Sequence, residues 1–181
     1  MRAGLNMRNV AVSGDGRWVM CANYLPHTLA LFDADLNLVK TYAATSLDGK
    51  SSSRVSAVYD AAPRSSFVVA LKDLPELWEI SYDRNAAPIF DGYVHDYRTG
   101  EGVAQPGFLG VRRTPLDEPL DDFFFDQSYR YALGATRPRS DGAPNAQVVN
   151  LDVRRKVAEL PIAGMPHLGS GITFAWNAPR C

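Results

Sequence analysis

The chain has 181 residues, is 46% hydrophobic and 22% charged, and carries a formal net charge of −1. That length suits one ordinary domain with a sizeable core. The balance argues against a dedicated nucleic-acid surface, and no apolar run is long enough for a membrane span.

In chain order, four short strand-like segments come first. They are Asn9–Val12, Arg17–Tyr24, Thr28–Asp33 and Leu38–Tyr42, and Gly14-Asp15-Gly16 and Asp33-Ala34-Asp35 supply turn chemistry between them. Alternation and β-branched residues favour strand over helix. The pattern returns at Val55–Tyr59, Phe67–Lys72, Leu77–Asp83 and Pro88-Ile89-Phe90. A third copy runs through Asp121–Phe125, Tyr129–Ala135, Gln147–Asp152 and Lys156–Leu160, and a fourth begins at Gly171–Trp176. The units span about 8–48, 54–93 and 115–163, with the start of the next at 168–181 and an insertion at about 94–114. Asp33, Asp83 and Asp152 each close the third strand of a unit.

Four short strands per repeat, at a period of roughly 40–50 residues, predict an all-β chain of β-propeller blades. A β-sandwich is the alternative. No stretch has helical periodicity with caps, which argues against α/β folds. Three blades and the start of a fourth cannot close a ring, so the chain reads as a fragment of a longer protein. Its open edges would then invite aggregation. No signal-type segment opens the sequence, Cys21 lies in an apolar strand as a buried thiol, and no Cys-x-x-Cys-His haem-attachment motif is present.

The connections between blades carry the candidate chemistry. His167 sits in Met165-Pro166-His167-Leu168-Gly169-Ser170-Gly171, after a fourth strand and before the next first strand. First strands line a propeller's channel, so this connection opens onto one channel mouth. Proline stiffens the approach and the glycines allow close passage of a bulky ligand. The imidazole then suits a metal or a flat ligand; otherwise it is a solvated turn residue. Arg54, before the second unit, suits bidentate carboxylate recognition or plain solvation. Asp121-Asp122, before the third, could do acid–base work, bind a cation or cap a turn. Lys72-Asp73 end a strand and can neutralise one another. His27 reads as a surface turn and His95 as part of the inserted loop.

Four segments carry a family resemblance: Arg54–Val58, Phe67–Asp73, Glu118–Asp126 and Met165–Gly171. Across nearly the whole chain, the sequence resembles the d1-haem propeller domain of the denitrification proteins. The resemblance implies an eight-bladed propeller that holds the d1 macrocycle in its central channel. It implies His167 as the iron ligand, with Arg54, Lys72, Gly169 and Gly171 binding the cofactor and Asp121 on the distal side with His167 as the catalytic pair. In the nitrite reductase pattern a histidine stands at the Asp121 position, within a His-Asp-Gly-Gly run. Asp121-Asp122-Phe123-Phe124-Phe125 is more similar to the branch that oxidises dihydro-d1 haem. The implied parent is a periplasmic oxidoreductase that acts on d1 haem or its dihydro precursor. A c-type haem domain and the proximal iron ligand would lie upstream, and an electron-transfer cytochrome or nitrite reductase would be a protein partner. The nitrite reductase domain and a non-catalytic haem-carrier or protein-interaction propeller remain alternatives.

Overall fold

The computed structural model describes residues 3–90, 104–135 and 146–161. Those residues form three four-stranded antiparallel sheets, each a meander. The first holds β1 (Asn6–Val12), β2 (Trp18–Leu25), β3 (Thr28–Asp33) and β4 (Leu38–Ala43). The second holds β5 (Val55–Ala61), β6 (Ser66–Leu71), β7 (Glu76–Ser81) and β8 (Val111–Pro115), with one 3₁₀ turn at Ala62–Arg64. The third holds β9 (Asp122–Phe125), β10 (Tyr131–Ala135), β11 (Ala146–Asn150) and β12 (Arg155–Leu160). The repeat of four strands is therefore present in the fold, as three propeller blades.

One boundary differs from the sequence expectation. The fourth strand of the second blade is Val111–Pro115, which pairs with β7 from Glu76↔Pro115 to Ile80↔Val111. Pro88-Ile89-Phe90 is not that strand; Ile89 makes an isolated bridge to Gln105. The insertion therefore lies inside the second blade, between its third and fourth strands, and the blade extends to Pro115. The end of the insertion packs tightly: a Cβ on Gly107 would lie 2.2 Å from the Ala87 carbonyl oxygen.

The blade faces bury each other. Met20, Leu29, Leu31, Val58, Phe67, Val69 and Trp78 form one core between the first and second blades. Val68, Ala70, Leu77, Leu120, Phe123 and Val149 form another between the second and third. Strands that feed two such faces are apolar on both sides, and β6 is buried at every position. Each large side chain so placed contributes about 1.5–3 kcal/mol of burial.

The innermost strands are also stitched by polar bonds. Asn9 donates to the Val58 carbonyl at 2.9 Å and accepts from the Val58 amide at 3.2 Å. Ser56 Oγ donates to the Leu120 carbonyl at 2.6 Å. Acceptor side chains hold the turns: Asp33 Oδ1 accepts the amides of Asp35 and Asn37, and Asp83 Oδ1 accepts that of Asn85. In the third blade Asn150 takes this task, and Asp152 is released to ion-pair with Arg64 and Arg130.

Candidate functional site

An antiparallel meander sends the second–third turn and the exit of the fourth strand to the same face. The turns at His27 and Asp73 thus share one face with Arg54 and Asp121, which precede the first strands β5 and β9. The structure brings four sequence-selected residues together here, Arg54, Lys72, Asp73 and Asp121, but in pairs the sequence did not suggest. Lys72 and Asp73 do not neutralise one another, because neighbours at a turn point apart. Asp73 instead takes Arg54 side-on, with Nε to Oδ2 at 2.8 Å and Nη2 to Oδ1 at 2.5 Å. Lys72 Nζ forms an ion pair with Asp121.

The two pairs differ in exposure. The Lys72 and Asp121 side chains are 10% and 11% exposed, against 39% and 33% for Arg54 and Asp73. The Arg54 guanidinium holds the Asp73 carboxyl down at about 2. The ring of Tyr24, the penultimate residue of β2, faces both cations: Arg54 Cζ lies 5.5 Å and Lys72 Nζ 5.8 Å from its centroid. His27 Nδ1 lies 2.8 Å from Ser52 Oγ at the same edge.

Toward the other ends of the same first strands, a cavity of about 340 Å³ is lined by Val10, Val12, Tyr59, Asp60, Phe124 and Tyr129, among others. Tyr59 donates to Asp122 Oδ1 at 2.7 Å and Tyr82 to Asp60 Oδ1 at 2.8 Å. Burial pushes the Asp60 carboxyl above its ordinary value and both phenols well above theirs. Among the described residues no group of three or more His, Cys, Asp or Glu is placed to hold a metal ion. His95, His167, Gly169 and Gly171 lie outside the described residues.

The family model described as "Cytochrome D1 heme domain" matches residues 1–91. The chain is 47% identical over 173 residues to the dihydro-heme d1 dehydrogenase of Pseudomonas aeruginosa, covering 95% of this chain and 30% of that protein. The chain belongs to the cytochrome d1 heme domain family. It is also 38% identical over 87 residues to the protein NirF of the same organism, covering 47% of this chain and 22% of that protein. The structure of dihydro-heme d1 dehydrogenase NirN in complex with DHE matches at a TM-score of 0.74 and 48% identity, covering 94% of this chain and 31% of that one. The Myceliophteria thermophila Cps50 (Swd1) β-propeller domain matches in fold, at a TM-score of 0.53 and 14% identity, covering 88% of this chain and 43% of that domain. The chain thus spans about a third or less of the dihydro-heme d1 dehydrogenase and of the protein NirF.

For a member of the d1 heme domain family, the charged mouth has two features suited to a carboxylated macrocycle. Arg54 is a partly exposed guanidinium in a fixed pose, and Tyr24 sets a flat ring beside it. Sequence reasoning singled out Arg54 but passed over Tyr24, and it paired Asp73 with Lys72 rather than with Arg54. The signal for both was positional: in a meander, residues flanking the second–third turn join the mouth formed by the blade connections.

Proposed function

We propose that this chain is the d1-haem-holding part of a periplasmic dihydro-d1-haem dehydrogenase. The observation that carries the reading is the 47% identity to such a dehydrogenase, running through 95% of this chain. The arrangement at the channel mouth supports it. In this reading Arg54 binds a macrocycle carboxylate through charge-assisted hydrogen bonds. Lys72 and Asp121 form the wall beneath it. Their pairing sets Lys72 to neutralise Asp121 rather than to reach the ligand directly. His167, with Gly169 and Gly171 around it, ligates the iron. When bound, the d1 ring supplies the redox chemistry; the protein holds, orients and shields it. The nitrite reductase alternative fits less well. The residue at the position of that enzyme's distal histidine is Asp121, and its carboxylate is committed to Lys72.

An absorbance titration of the full-length protein that contains this chain with d1 haem tests this reading, with His167→Ala in parallel. Saturable binding with a low-spin iron spectrum is expected for the wild type, and loss of that spectrum for the variant. Identical spectra would remove His167 as ligand. No binding by the wild type would overturn the reading.

A further inference from the structure

Arg54 has five side-chain N–H donors, and Asp73 occupies two of them, one on Nε and one on Nη2. This is side-on pairing. It leaves both Nη1 hydrogens and the second Nη2 hydrogen along the outer edge of the guanidinium. The second Nη2 hydrogen and the Nη1 hydrogen beside it form a second fork with the spacing of a carboxylate. Among the described residues no acceptor takes them, and the Arg54 side chain keeps 39% exposure.

Asp73 is itself held in place. Its Oδ2 also accepts the Arg54 amide at 3.0 Å, and its own amide donates to Ser53 Oγ at 2.9 Å. The Lys72 amide donates to the Arg54 carbonyl at 2.9 Å. The β6–β7 turn and the connection into β5 are thus bonded backbone to backbone as well as through the carboxylate. A long arginine side chain tied to such a turn gives up its rotamer freedom before any ligand arrives. The Tyr24 ring flanks it at 5.5 Å.

We infer that Asp73 is a positioning residue, which fixes Arg54 side-on so that its outer fork is presented to a carboxylate of a tetrapyrrole bound at the channel mouth. The inference rests on the d1-haem reading above and adds to it the role of Asp73 and the direction from which the carboxylate approaches. It opposes a simpler expectation, that Asp73 competes with the ligand for Arg54, because the two carboxylates use different edges of one guanidinium. The two ideas predict opposite signs for removal of Asp73.

The test is absorbance-titrated affinity of the full-length protein that contains this chain for d1 haem and for d1 haem with its carboxylates methyl-esterified. Arg54→Ala and Asp73→Ala should each weaken binding of the free acid by about tenfold, the scale of one charge-assisted hydrogen bond at a partly exposed site. Asp73→Asn keeps one acceptor and should lose less. The double alanine variant should bind no more weakly than Arg54→Ala alone, since Asp73 acts only through Arg54. The ester should bind all variants alike. Tighter binding by Asp73→Ala, an additive loss in the double variant, or an equal loss with the ester would each overturn the inference while leaving the d1-haem reading in place. If the wild type binds neither form, both fall.

Discussion

Arg64 ties the second blade to the third, and its removal gives the sharpest stability prediction. It closes the 3₁₀ turn after β5, where Nε donates to Glu79 Oε1 at 2.9 Å and Nη1 to Asp152 Oδ1 at 2.7 Å. Glu79 lies in the middle of β7 with its side chain 7% exposed, whereas Asp152 is 43% exposed. Arg64→Ala therefore orphans Glu79, almost without water, and leaves Asp152 to Arg130 and to the water that already reaches it. Breaking a buried pair costs about 3–5 kcal/mol, and an exposed pair about 0–1 kcal/mol. Arg64 is itself 20% exposed, so water will partly enter the gap, and a loss of about 2–4 kcal/mol is expected. With a urea m-value of about 2 kcal/mol/M, the unfolding midpoint should fall by about 1–2 M. Urea titration followed by circular dichroism reads this directly. Arg64→Ala/Glu79→Gln should recover at least half of the loss, because the cost lies in the stranded charge rather than in the missing attraction. A single-variant loss under about 1 kcal/mol would refute the reasoning, as would a double variant no more stable than the single.

The pH dependence of stability should carry two opposite contributions. Asp73 titrates in the fold at about 2, below the ordinary range of an aspartate carboxyl, so its contribution is complete above about pH 4 and is lost as pH falls toward 2. Asp60 is raised by burial, so its contribution is present at low pH and is lost as pH rises through its folded value. Denaturant midpoints measured against pH should show the acid-side fall vanish in Asp73→Asn and the fall on the rising side vanish in Asp60→Asn; unchanged profiles would contradict the assignment. Gly107→Ala places a Cβ 2.2 Å and 2.4 Å from the carbonyl oxygens of Ala87 and Ala86, so backbone must move. About 1–3 kcal/mol of destabilisation is expected in the same urea titration, and a neutral effect would show that the insertion yields freely.

The blades were legible because their strands are short, apolar and rich in β-branched residues and their turns carry Gly, Asp and Ser. The fourth strand of the second blade was not. Val111-Arg112-Arg113-Thr114-Pro115 has little apolar content, and a solvent-side edge strand needs little. Arg113 earns its place there by stacking 4.6 Å from the Trp78 ring centroid and donating to Glu76 Oε2 at 2.7 Å. Pro88-Ile89-Phe90 looked more strand-like, yet only Ile89 is buried and Phe90 is 67% exposed. Apolar content marks burial, not pairing, and the outermost strand is where the two part company.

The same limit explains the site. That Arg54, Lys72 and Asp121 share one mouth follows from connectivity, which a repeat reveals. Which cation meets which carboxylate does not, because each pairing crosses a turn or a blade boundary: Arg54 reaches Asp73, 19 positions away, and Lys72 reaches Asp121, 49 positions away. The outcome matters for what the mouth can bind. Two cations and two carboxylates leave these four residues with no net charge, so long-range attraction is not what would draw a carboxylated ring to them. Selectivity must come from directed donors at short range. Of the two cations, Lys72 is nearly buried against Asp121, whereas Arg54 keeps a planar edge turned outward. On this geometry a substitution at Arg54 should change which ligands bind, while one at Lys72 should act chiefly through the Asp121 charge it leaves behind.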